Sequence, residues 1–162
     1  MDMEDLRQIA NGTSDATGER LFDELVRHLS SVIGTKCAWI TEWHRDKREL
    51  EAISFWNEDR FVRDYSYDVA GTPCETVIGE NRQFHIPDRI TELFPKDEIL
   101  KDLGAVSYMA VPLVDTDASV LGHLAVLDDE PMPENEVASA ILNIFAGRAS
   151  AELRRLRRER AL

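Results

Sequence analysis

The sequence predicts one domain of the mixed α/β (α+β) class, and three observations carry that reading. In "GERLFDELVRHLSSVIG" (18–34) the apolar residues Leu21, Leu25, Leu29 and Val32 recur every three or four positions, one face of an amphipathic helix. Two pairs of apolar and β-branched runs, within 36–57 and 105–129, each flank a polar turn and read as β-hairpins. From Pro133 to the end the chain has no helix breaker except Gly147, so one long helix closes the sequence.

Taken in order, Gly34 is placed to end the first helix. "KCAWITEWH" (36–44) and "ELEAISFWN" (49–57) form the first hairpin around the charged turn "RDKR" (45–48). A less regular stretch follows, with Phe61, Tyr65 and Tyr67. In "GTPCETVIG" (71–79), Thr72, Pro73 and Glu75 fit the N-cap, first and third positions of a short helix that Gly79 ends. Cys74 then lies in a first helical turn, where unpaired amides favour a thiolate, while the plainer reading of the same residue is a small buried hydrophobe. "QFHIPD" (83–88) reads as a short strand and "RITELFPKDEILKDLG" (89–104) as helical turns ending at Gly104. "AVSYMAVPLVD" (105–115) and "VLGHLAVLDD" (120–129) are strands joined by "TDAS" (116–119). The last helix, at 1.5 Å per residue, would run roughly 40 Å, and its final turns are expected to project beyond the body.

Bulk properties narrow the function classes. A chain of 162 residues that is 43% hydrophobic supports a single core. Its longest apolar runs fall far short of the roughly 20 residues of a spanning helix, and the acidic N-terminus has no export signal, so a cytoplasmic protein without a membrane partner is expected. Two cysteines, Cys37 and Cys74, are too few for a disulfide framework and point to free thiols in a reducing compartment. The net charge of −12 is uneven: residues 148–162 hold six arginines against two glutamates, so that tail is +4 and the remainder −16. An acidic body repels a polyphosphate backbone, which argues against nucleic acid as a partner.

The element order, together with "GTPCETVIGENRQFHIPD", "LGAVSYMAVPLVD" and "VLGHLAVLDDEPMPENEVASAILNIFAGRASAEL", resembles a GAF domain, a sensory module of bacterial signalling proteins such as histidine kinases. The resemblance divides the chain into an N-terminal extension (1–17), the domain (18–155) and the end of a signalling helix (156–162), cut before an output domain. It implies a central antiparallel sheet of five to six strands. The terminal helices would pack on one face, and short helices and loops would enclose a small-molecule pocket on the other. Phe55, Tyr67, Cys74, Phe84, Phe94 and Tyr108 fall in the segments that the resemblance sets around that cavity, and Arg82 and Arg89 are the nearest counter-charges for a charged ligand. The resemblance also implies a parallel homodimer through the terminal helices. Leu21, Leu25, Leu142, Phe145, Ala149 and Leu156 are the candidate seam, by their three-four spacing.

The expected function is non-catalytic: a module that senses an unidentified small molecule and passes its state to an output domain, its cofactor, if any, unknown. One alternative is a dimerisation module whose pocket is filled by its own side chains. Another is a thiol enzyme like the free methionine-(R)-sulfoxide reductases, which carry a cysteine in a similar Gly-x-x-Cys turn. Those enzymes use further cysteines downstream, and residues 75–162 contain none. "HIPDR" (85–89) lacks the aspartate of the bilin-binding members, and "LDDEPMPENEV" (127–137) lacks the lysine and phenylalanine of the cyclic-nucleotide binders. His28, His44, His85 and His123 show no close ligand spacing, so no metal is indicated; His123 reads as a hydrogen-bonded strand residue.

Overall fold

The computed structural model describes Arg7 and residues 16–161. The expected N-terminal extension (1–17) therefore lies outside the described residues apart from Arg7, Ala16 and Thr17, as does Leu162. Helix α1 (Gly18–Ile33) turns Leu21, Phe22, Leu25, Val26 and Leu29 inward and stops at Gly34, whose φ of 84° is left-handed and whose N–H reaches the Ser30 carbonyl. Strands β1 (Cys37–His44) and β2 (Glu49–Asn57) form the first hairpin, with Cys37 opposite Asn57. Next come β3 (Arg60–Val62), β4 (Ser66–Asp68), α2 (Cys74–Glu80), β5 (Phe84–Ile86), α3 (Ile90–Leu93) and α4 (Glu98–Asp102). Strands β6 (Ser107–Val114) and β7 (Val120–Asp128) make the second hairpin, and α5 (Glu136–Ala161) closes the fold.

The strands pair antiparallel in the order β3-β2-β1-β7-β6-β5, with β4 also on β2. The sheet has seven strands where five to six were expected. The additions, β3 and β4, have three residues each, too few for alternation to reveal them. The middle strands are covered on both faces, which is why they read as nearly continuous apolar runs. Ala38, Ile40, Leu124 and Val126 point to α1 and α5, while Cys37, Trp39, Ala125 and Leu127 point to the short helices. The terminal helices thus share one face, and α2, α3 and α4 lie over the other.

The expected capping box does not form. Helix α2 starts one residue later than expected, with Pro73 at its N-cap, because the Thr72 hydroxyl is taken up by the preceding turn and donates to the Val69 carbonyl at 2.8 Å. Glu75 turns away to Arg48, 3.6 Å off. The helix also passes Gly79 and ends at Asn81, whose amide side chain donates to the Ala118 carbonyl while its backbone adopts a φ of 50°. At the other end of the chain, Asn135 Oδ1 caps α5 by accepting from the Val137 and Ala138 amides.

The last helix corrects two expectations. Leu21, Leu25, Leu142, Phe145 and Ala149 are fully buried against the chain's own sheet, so their spacing marks the domain core rather than a dimer seam. Leu156, the sixth, is half-buried against the same cluster. The final turns do not project free either: Arg157 and Arg160 both reach Glu42, at 2.8 and 3.0 Å, and Arg154 donates to the Val114 carbonyl. Glu42 is only 3% exposed, so the sheet supplies a buried anion to which the basic helix end is fastened.

Candidate functional site

On the short-helix face, residues 39 of β1, 55 of β2, 67 of β4 and 108 of β6 converge on the start of α2. Strand alternation fixes this, since each residue points to that face in its own strand. Trp39 Nε1–H donates to the Tyr67 hydroxyl at 3.1 Å, and Tyr67 and Tyr108 lie 3.3 and 3.4 Å from Cys74 Sγ. Trp39 stacks on Phe55 with centroids 5.2 Å apart, and Tyr65 meets Phe55 edge-on. These groups enclose a cavity of about 20 Å³ whose rim is formed by Asp97 and the residues of α4. That volume accommodates about one water molecule, so the side chains close most of the pocket.

Phe55, Tyr67, Cys74 and Tyr108 line this cavity. Phe84 and Phe94 do not line it; they buttress it, Phe84 meeting Tyr108 and Phe94 edge-on at 6.5 and 6.4 Å. Arg82 and Arg89 are exposed, and Arg82 lies over the Phe84 ring with its charge held by Glu80. Neither supplies a buried counter-charge. Sequence reasoning missed Trp39, Tyr65 and Asp97. The first could have been found from its place two residues from Cys37 on one strand face; Asp97 carries no local signal beyond its N-cap position.

Cys74 is the opposite of the activated thiol that its helical position suggested. It is 2% exposed, and burial pushes its thiol up to about 11, outweighing the hydrogen bonds from Tyr108, Tyr67 and Thr72 that act the other way. Cys37 is likewise free and buried, raised to about 12 by burial, with its sulfur on Asn57 Oδ1. Deeper along the same face, Thr41 Oγ1 lies 2.6 Å from His123 Nδ1. His123 is fully buried and pushed down to about 3, so it is neutral. Its Nε2 has no hydrogen-bond partner among the described residues and the ring sits edge-on to Trp39. One cluster, Glu42, His44 and Glu51, brings three donors within 4.8 Å, but Glu42 is already neutralised by Arg157 and Arg160, which a cation would have to displace.

A helix-backed antiparallel sheet with a small aromatic pocket on its second face defines an α+β sensory-module fold class. The chain belongs to the GAF domain family, whose model matches residues 17–153. It is 27% identical over 131 residues to hybrid signal transduction histidine kinase F of Dictyostelium discoideum, an alignment covering 81% of this chain and 11% of that kinase. Among solved structures it is similar to the GAF domain of a phosphoenolpyruvate-protein phosphotransferase from Coxiella burnetii, with a TM-score of 0.80, 18% identity, and 99% and 96% of the two chains covered. The chromophore-binding domain of the R. palustris bacteriophytochrome RpBphP3 superposes with a TM-score of 0.76 at 10% identity, over 96% of this chain and 62% of that one. These structural likenesses define the fold. Domains of this family occur in signalling proteins, as the named histidine kinase and bacteriophytochrome illustrate. Among the described residues no helix is long and apolar enough to cross a membrane.

Proposed function

We propose that the chain is a non-catalytic sensing module of a cytoplasmic signalling protein, taking a small molecule into the aromatic pocket and passing its state through the sheet to α5 and an output domain such as a histidine kinase. The observation that carries this is the convergence of Trp39 Nε1, two tyrosine hydroxyls and Cys74 Sγ inside an otherwise apolar pocket. A few placed polar groups in an apolar cleft are the usual makings of a ligand site. A ligand larger than a water-sized group requires the cavity to widen. Neither Cys74 nor His123 titrates near neutrality, which supports a binding role over an acid, base or nucleophile. Free buried cysteines fit a reducing compartment.

The test is native mass spectrometry of the freshly purified chain with a denatured control. An added mass lost on denaturation, and absent from a Trp39→Ala variant that remains folded by circular dichroism, supports the reading; an added mass retained by that variant puts the ligand elsewhere.

A second reading, homodimerisation, is favoured by a different observation. Val137 and Ile144 on α5 are 68% and 49% exposed and lie seven residues apart, on the side turned away from the core. Two helical turns separate them, so they share a face that a second copy of the chain could cover. Light scattering of the wild type and Ile144→Glu tests it: a dimer that the substitution makes monomeric supports the reading, and a wild type that stays monomeric well above micromolar concentration defeats it.

A further inference from the structure

The pocket has a charge character that its aromatic walls alone do not set. Trp39, Phe55, Tyr65, Tyr67 and Tyr108 present ring surface to it, and Asp97 is the one ionisable carboxylate in its lining. The lining contains no lysine, arginine or histidine. Asp97 is half-buried and has no ion pair with a described residue; its flanking cation Lys96 is exposed, and Lys101 pairs with Glu98 instead. Burial pushes the Asp97 carboxyl up, against the pull of the Ile99 and Leu100 amides, as expected for an anion with no cation beside it.

Aromatic faces carry negative quadrupoles and attract a desolvated cation, most of all an ammonium that has no better partner. A carboxylate at the rim of such a box completes the recognition of a positive head. A chain of net charge −12 also concentrates cations around it and repels anions. Resting on the sensing reading above, we propose that the pocket selects an organic cation of the ammonium class, held by the aromatic rings and by Asp97. The anionic ligand that Arg82 and Arg89 would have suited is disfavoured, because both guanidiniums lie outside.

The cavity as it stands admits a group about the size of ammonium, and a larger head such as trimethylammonium requires it to widen.

The experiment titrates the whole chain with three probes of one shape and different charge: choline, neutral 3,3-dimethyl-1-butanol and anionic 3,3-dimethylbutanoate. The indole N–H resonance of Trp39, assigned with Trp39→Phe, reports occupancy. Choline is expected to bind at least roughly tenfold more tightly than the neutral alcohol, with no response to the acid. Asp97→Asn is expected to bring choline down towards the alcohol and leave the alcohol unchanged. Equal binding of choline and alcohol, or choline binding indifferent to Asp97→Asn, overturns the charge selection while the pocket stands as a ligand site. If no probe moves the Trp39 signal while the other two tryptophans report a folded chain, the sensing reading fails at this pocket and the cation assignment fails with it.

Discussion

Tyr67 and Tyr108 both touch Cys74, but their hydroxyls do different work. The Tyr67 oxygen accepts from buried Trp39 Nε1–H as well as meeting the sulfur, whereas the Tyr108 hydroxyl meets only the sulfur. Tyr67→Phe therefore strands an indole donor and should cost about 1–3 kcal/mol, while Tyr108→Phe removes a weak contact to sulfur and should cost about 0.5–1 kcal/mol. Urea unfolding of the two variants checks this, and the reverse order would show that the Trp39 bond is not what organises the cluster. Cys74 illustrates what a sequence can tell at this scale. Its place at the start of a short helix was legible, and of the two readings that place allowed, the small buried side chain describes it and the amide-favoured thiolate does not. Burial outweighs the hydrogen bonds from Tyr108, Tyr67 and Thr72, and it depends on partners as distant as Tyr108 of β6, which no local window around residue 74 contains. Aromatic pocket residues were legible as residues of one sheet face, but their closing of the cavity depends on ring orientations that spacing does not encode.

Elements with a long period were legible in proportion to their length. Helix α1, the two hairpins and α5 carry enough residues for one signal to dominate, and each lies where its periodicity, its β-branched composition around a polar turn or its lack of breakers put it. Strands β3 and β4 carry three residues each and gain their conformation from pairing with β2, a tertiary cause. The basic end of α5 is the instructive failure. The turns that carry six arginines beside two glutamates were expected to project beyond the body, yet Arg157 and Arg160 cross to Glu42 in β1, 115 and 118 residues away in sequence. Glu42→Gln keeps the shape and removes the charge that holds both guanidiniums. Because Arg157 and Arg160 are 37% and 58% exposed, water recovers part of the loss, so the expected cost is about 1–2 kcal/mol rather than that of a fully buried pair. Its signature is local: amide hydrogen exchange should accelerate in 157–161 and stay unchanged in α1. Uniform acceleration across the domain would mean that Glu42 supports the sheet and not the helix end.

For the molecule as a whole, one buried neutral base contributes to the acid limb of stability. His123, fully buried between β1 and the short helices, is held down to about 3, while an unfolded chain takes up the proton near its ordinary value of 6.5. Between those values the unfolded state binds the extra proton and the folded state does not, so stability rises with pH and is lost as pH falls. The slope is about 1.4 kcal/mol per pH unit for one proton. Glu152 acts in the same sense lower down, because Arg155 holds its carboxyl below the ordinary glutamate value, and Asp97, raised by burial, acts in the opposite sense. Both contributions are common to wild type and a His123→Gln variant, so the difference between their pH profiles isolates the imidazole. Urea midpoints from pH 7 to pH 5 should fall steeply for the wild type and much less for the variant, whatever the variant loses in absolute stability. Parallel profiles would mean that His123 is protonated inside the fold, with its Nε2–H finding an acceptor. The Thr41–His123 pair would then be a charged joint between the pocket and the central strands rather than a neutral one.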